Sequence, residues 1–554
     1  MKKQLAIFLL LSLIILIGGF LRLYHFTTNP PSLNNDEVAF GYSAYSILQT
    51  GRDENGVFMP ITFQSVGDYK NPVPIYLLVP FIALLGLNEF SVRLPTVLIA
   101  IISIPLFYIF FKTLSGNVKV SLIATLLLII SPWHLFYSRY VSDHLIAMTL
   151  LVLGITLFQK MLKNGGYIYT LGAASSFVIS MYTYYPERLF VPLLGAALLI
   201  INHKVLLQRR KEFMVLAVTA CLLALPLAYR TFFGPDKARA SMVFITQDIE
   251  FTRYVVLDHL HRGVVFSSEN FLLLIFWFKR YLNYFDPGFL FTNGLNMTNA
   301  GTIGLGVMHF FELPFLIFGI YSLLNKKWPT KFNSIYKNRA LIFIWVFLAL
   351  IPASLTNNET SAGRTIILVP MLLLITSLGA LRIYEKVINL GNQYIKSFIL
   401  ILYPIIIAIF LIRAFLVFAV HFPLQRGEAF MEGTKESVLY ALQHKDEYQE
   451  IVYDPYRGIE APYIVNIPYM YILFYSQYDP TKFQQEVKNF PTKGAHFDKF
   501  TIRQIDWRTD RSKKGTLFIG SPWSLPNTDT DNATVLKKIY LSNGSLALVI
   551  ITPK

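Results

Sequence analysis

Charge is scarce in this chain of 554 residues: 15% are Asp, Glu, Lys or Arg, where an ordinary soluble domain carries roughly 25%. That excludes a soluble enzyme. Cysteine is nearly absent, and the single one, Cys221, lies inside an apolar run, so no intrachain disulfide framework exists. Acidic residues are short as well, 33 against 49 Lys and Arg, leaving a net charge of +16. Such an excess can mark a nucleic-acid partner, but here it is concentrated in alternate membrane loops, so no nucleic-acid binding is expected. There is no repeat of 20 to 50 residues and no low-complexity tract.

What is present is hydrophobic sequence: 54% of residues, in apolar runs that recur almost to position 420. Runs of about 18 or more such residues cross a bilayer as helices. The expected spans are 5–24, 91–111, 118–137, 141–161, 167–183, 187–202, 212–231, 303–324, 340–355, 363–382 and 396–419. The first follows Lys2 and Lys3 and resembles a signal peptide, but no small-residue cleavage site follows Phe20-Leu21-Arg22, so it reads as a retained helix. Two further apolar stretches, 72–88 and 269–285, are expected to lie at the membrane surface or in a broken hairpin. The first carries Pro72, Pro74 and Pro80, and the second ends in Lys279-Arg280-Tyr281 and Asp286-Pro287-Gly288.

Loop charge then orients the chain. With Lys2 and Lys3 cytoplasmic, the connections 111–119, 159–166, 203–212, 325–339 and 382–396 hold most of the loop cations. The opposite short connections hold one cation each, Arg93, Arg139, Arg188 and Arg364, and no lysine. Residues 25–90, residues 232–302 and the tail from 421 therefore face outward. In the tail, a helical pattern over 427–446 alternates with β-branched runs at 450–453, 516–519 and 547–551. The expected fold is a polytopic α-helical membrane protein of about 11–13 transmembrane helices with a small C-terminal extracytoplasmic α/β domain. The expected domains are 1–420, membrane and catalytic, and 421–554.

The ionisable residues suggest where chemistry lies. Asp36 and Glu37, in Pro30-Pro31-Ser32-Leu33-Asn34-Asn35-Asp36-Glu37, are adjacent carboxylates at the mouth of a membrane bundle, suited to a general base or a cation. The structural alternative is an N-cap, with Asn35 or Asp36 capping the helix that follows. Lys70, in Gly67-Asp68-Tyr69-Lys70-Asn71-Pro72, can hold a phosphate or snorkel at the interface. The order of these elements, then Arg93-Leu94-Pro95, Ser131-Pro132, Ser138-Arg139, Asp143, the Tyr284-to-Phe291 segment and Ala362-Gly363-Arg364, resembles the GT-C glycosyltransferases of the protein O-mannosyltransferase and aminoarabinose-transferase group.

The resemblance covers residues 1 to about 420. It implies sugar transfer, with inversion, from a polyprenyl-phosphate donor in the lipid bilayer to an extracytoplasmic acceptor (a glycan, lipid or protein hydroxyl), in the plasma membrane. By position it makes Asp36 the catalytic acidic residue, Glu37 its neighbour and Lys70 the ligand of the carrier phosphate. Ala39 stands where aminoarabinose transferases have an arginine, and Tyr69 where they have a glutamate, so that branch's lipid A substrate and metal site are not implied.

Arg139, Arg188 and Arg364 are expected to join Lys70 on the phosphate, because guanidinium binds phosphate oxygens bidentately; the alternative is interface anchoring. Asp143, Tyr184 and Tyr185 are candidates for a polar or acceptor site. Asp258, His259 and His261 have zinc-type ligand chemistry at a spacing that suits a helix poorly, so a divalent metal cofactor is left open. The rival function is a transporter or flippase of lipid-linked sugars, disfavoured because the spans carry little charge at their centres. The tail has no acidic constellation of its own. It is expected to help recognise the acceptor and to be removable at 425 without loss of donor hydrolysis.

Overall fold

The computed structural model describes residues 2–65, 67–234, 241–260, 269–297, 304–325, 333–357, 360–487, 496–526 and 532–554. They form two compact units. One comprises 1–24, 96–138 and 142–417, and the other 25–95, 139–141 and 418–554. Residues 25–95 thus belong to the same unit as 418–554.

The first unit is helical. Among the described residues seven helices are long and apolar enough to cross a membrane, and Val118–Ile130, Phe310–Leu324, Arg339–Ser354 and, in the second unit, Pro72–Leu85 are shorter apolar helices. The chain is a multi-pass membrane protein. The first helix, Lys2–Leu23, is packed into its unit: Ile14 contacts Ile104 and Ile129, and buried Arg22 donates to the carbonyl of Gly18 (2.9 Å) and lies 2.8 Å from Nδ1 of His134. Helices Leu313–Leu324 and Val369–Ile388 approach through glycine, since a Cβ at Gly319 would overlap the Ile375 carbonyl and one at Gly379 that of Phe315. Small residues are what let membrane helices approach this closely. Gly379→Ala is expected to destabilise this pair by about 1–3 kcal/mol, the usual overpacking cost, read as a lower midpoint of thermal unfolding in detergent.

Two expected elements differ. The span 118–137 is divided into Val118–Ile130 and Pro132–Tyr137, because Pro132 forces Ser131 out of the helical region (ψ 122°), and Ser131 Oγ then accepts the amide of His134. The stretch 72–88, expected at the membrane surface or in a broken hairpin, is a continuous helix, Pro72–Leu85. Pro72 and Pro74 fall in its first turn, where the missing N–H has no intrahelical role, and Pro80 alone is interior. Fourteen residues reach about 21 Å, short of a ~30 Å hydrocarbon core.

The second unit carries a six-stranded mixed sheet in the order His496–Phe497, Phe500–Ile502, Glu450–Tyr453, Thr516–Gly520, Leu546–Pro553, Ala533–Tyr540. Glu450–Tyr453 runs parallel to both its neighbours and the other pairings are antiparallel. The three expected strands are present. Ala533–Tyr540 was not anticipated: it is an edge strand that carries Lys537 and Lys538, as edges exposed to solvent often do. On this sheet sits the helix Pro468–Ser476, and against it packs the helix Asn35–Thr50. Gly41 makes the approach possible, since a Cβ there would come within 2.6 Å of Phe474 and 2.9 Å of Val92. Val38, Tyr42 and Ile47 share one apolar core with Tyr471, Phe474, Phe483, Ile451 and Ile550. The tail is therefore not a separable module: cutting at 425 removes the residues that bury the Asn35–Thr50 helix, and donor hydrolysis is not expected to survive it.

Candidate active site

The acidic pair is split by the geometry of its helix. The N-cap is Asn34, not Asn35 or Asp36: Asn34 Oδ1 accepts the amide of Glu37, and Glu37 Oε2 accepts the amide of Asn34 at 3.0 Å, a closed capping box. Glu37 is fully buried. Its carboxylate also takes Arg93 Nε at 2.9 Å and Nη2 at 3.1 Å, and the amide of Val141 at 3.3 Å. It has neither the exposure nor a vacant lone pair for substrate. One residue earlier, a rotation of about 100° around the helix turns Asp36 outward. Its side chain is 63% exposed and forms an ion pair with Lys70, which is 10% exposed.

Lys70 is placed by a hairpin. Strands Phe63–Ser65 and Asp68–Lys70 pair antiparallel, with Lys70 opposite Phe63, and Gly67 at φ 72° supplies the left-handed residue the turn requires. Asp68 adds a weaker contact to Lys70 at 3.8 Å.

Arg93, which sequence reasoning treated only as a loop cation, organises this corner. Beyond Glu37 it donates to the carbonyls of Phe26, Thr27, Pro30 and Ser32, at 2.5–3.2 Å, and so fixes the segment leading into the Asp36 helix. The signal was available, because Arg93 is one of four arginines that each stand alone among the cations of a short connection. Arg139 is buried in the same unit, donating to the carbonyl of Asn29 at 3.1 Å and lying over the ring of Phe418 at 4.9 Å. Tyr471 closes the frame by donating to the carbonyl of Leu33 at 2.8 Å. Burial and the Glu37 carboxylate push its phenol well above the ordinary range, so it remains a donor.

In the first unit, four predicted residues line one cavity of about 350 Å³: Tyr184, Tyr185, Arg188 and Arg364, with Thr231 and Thr356. Arg188 lies over the Tyr185 ring at 4.0 Å and donates to Thr231 Oγ1 at 3.2 Å, while Arg364 donates to Thr356. Among the described residues no carboxylate lines this cavity. Asp143 begins the helix Asp143–Asn164, 2.7 Å from Nδ1 of His144, whose ring is 4.3 Å from that of Tyr184. Burial and the Asp143 charge push the Tyr184 phenol well above its usual range. A Cβ at Gly363 would meet His144 Nε2 at 2.7 Å and the Tyr137 hydroxyl at 3.0 Å, so Gly363 is what lets the Arg364 turn approach this cluster.

Among the described residues no group of His, Cys, Asp and Glu could hold a metal ion. Asp258 and His259 fall in the helix Ile249–Leu260, their side chains outside the described residues, as is His261 altogether.

An acidic residue and a lysine are thus paired on the helix and hairpin that follow the first helix. Comparison with known proteins identifies the fold. Residues 69–229 match the family described as dolichyl-phosphate-mannose-protein mannosyltransferase. ArnT from Cupriavidus metallidurans bound to undecaprenyl phosphate is 13% identical, with a TM-score of 0.54 over 98% of this chain and 97% of that one. The same protein in the apo state gives 12% and 0.53, over 99% and 98%. No curated protein matches the sequence. The chain therefore has the GT-C fold that it shares with ArnT, and its residues 69–229 are similar to the protein mannosyltransferase family.

Proposed function

We propose that the protein transfers a sugar from a polyprenyl-phosphate donor to an extracytoplasmic hydroxyl, with inversion, and that Asp36 is the general base. The observation that carries this reading is the division of the acidic pair. Glu37 is locked to Arg93, while Asp36 is held at one end by Lys70 and stays open to solvent. A base must reach the acceptor proton, and a carboxylate tethered by one cation is positioned without being consumed by it. A phosphate leaving group requires cations, and within their own units Lys70 and the Arg188–Arg364 cavity are each of that kind. An apolar groove of about 490 Å³, lined by Met181, Val191, Pro192 and Gly195, borders Arg188 along the same helix and suits an isoprenoid chain. The C. metallidurans protein of the same fold was solved with undecaprenyl phosphate, which supports the donor class.

The deciding experiment incubates the purified protein with a panel of isoprenoid-phosphate sugars and follows release of lipid phosphate; release from none would overturn the reading. Arg188→Lys and Arg364→Lys preserve charge but lose the fork, so each is expected to raise the donor KM about tenfold, the size of one lost charge-assisted contact. Unchanged KM in both variants would make these residues interface anchors. The orientation is tested by a reporter active only in the cytoplasm, fused after Lys554, which is expected to stay silent.

A further inference from the structure

The first unit contains a further cavity, of about 290 Å³, that the transfer reading leaves unused. It is lined by the last turns of the helix Glu269–Asn283, by the Tyr284-to-Asn293 segment, and by Glu250, Ala353, Ser354 and Thr360. Its electrostatics are unlike those of the arginine cavity. Lys279 and Arg280 bring two positive charges, Glu250 and Asp286 two negative ones, and Arg280 is already paired with buried Asp248 at 2.5 Å. An anion would meet two carboxylates there, and a cation two basic groups. A neutral ligand meets neither penalty.

The remaining lining is rich in groups that both donate and accept. Asn283 and Asn293 offer amides, and Phe276, Phe289 and Tyr284 apolar faces. One feature marks a polar ligand's place in particular: Arg280 is 7% exposed, and its Nη1 has no hydrogen-bond partner among the described residues. Burial pushes the Tyr284 phenol above its ordinary range, so it stays neutral. A few convergent polar groups on an apolar wall, within a concave site of about 300 Å³, is the build of a small-molecule site, and donors, acceptors and ring faces in combination match a pyranose.

We propose that this cavity binds a neutral saccharide unit, as the hydroxyl-bearing acceptor of the transfer. The identity of the ligand as acceptor rests on the glycosyltransferase reading; the binding of a neutral sugar does not. The Ser354 and Thr360 side of the cavity lies on the same segment as Thr356 and Arg364 of the arginine cavity, so one stretch of chain borders both a cationic and a neutral compartment.

The test is saturation-transfer NMR on the full chain in detergent with a panel of neutral methyl glycosides at millimolar concentration, without donor. At least one glycoside is expected to give a signal that Asn283→Leu and Asn293→Leu each weaken about tenfold in affinity, the loss of one hydrogen-bonding group. Glu250→Gln serves as a gentler third variant, and size exclusion with thermal unfolding confirms the fold of each. Arg364→Lys, which touches the other cavity, is expected to keep the signal. No glycoside binding to the parental protein would overturn the proposal, as would binding that all three variants retain. Displacement of the glycoside by inorganic phosphate would also overturn it, by making this an anion site. Because no donor is present, these outcomes leave the lipid-phosphate release assay to judge the transferase reading separately.

Discussion

Asp36→Asn is expected to lower sugar transfer by about a hundredfold to ten-thousandfold, the usual cost of losing a general base, while donor binding stays near parental. The substitution is a clean probe because of where Asp36 stands. Its carboxylate is largely exposed and takes no part in the capping box, so the amide replaces it without unburying anything. Lys70 loses an ion-pair partner, but at a half-open surface such a pair contributes little to stability. The measurement is turnover with a saturating isoprenoid-phosphate sugar, alongside donor affinity. Parental turnover in the Asn variant would place the base elsewhere, with Asp143 the next carboxylate to test.

Arg93→Ala is expected to have the largest effect on stability. It leaves buried Glu37 with only backbone amides as partners, and four carbonyls lose their donor. Breaking a buried pair by removing one partner costs about 3–5 kcal/mol, because the remaining charge is uncompensated. The double variant Arg93→Leu with Glu37→Leu removes both charges and is expected to recover part of that loss. Thermal unfolding in detergent reads the difference. If the single and double variants unfold at the same temperature as the parent, Arg93 does not hold the Asp36 segment.

Much of the fold was legible because it rests on hydrophobic run length, which survives translation into structure with little dependence on distant residues. The span 167–183 coincides with the helix Tyr167–Thr183. What failed depended on local detail. Prolines in 72–88 read as breakers, yet two of the three occupy a first turn where they are harmless, and that requires knowing where the helix starts. At the site, Asp36, Glu37 and Lys70 could be picked out as ionisable residues beside a membrane, but only the family resemblance, not the residues themselves, separated their roles. Which carboxylate of the pair is buried depends on whether Asn34 or Asn35 is the cap, a shift of one residue that turns the helix by about 100°. Arg93 was visible only as a charge, since its partners are carbonyls that no sequence pattern marks.

The shared core of residues 25–95 and 418–554 also sets the timetable of biogenesis. The Asn35–Thr50 helix leaves the ribosome early, and the residues that cover Val38 and Tyr42 are among the last to be made, more than 400 positions later. At the roughly 5–20 residues per second of synthesis, that apolar face waits for tens of seconds without its partner. Over that interval it is a ready substrate for chaperones and proteases. A chain stalled or truncated before the sheet is complete would then be cleared by quality control rather than accumulate as an inactive membrane protein.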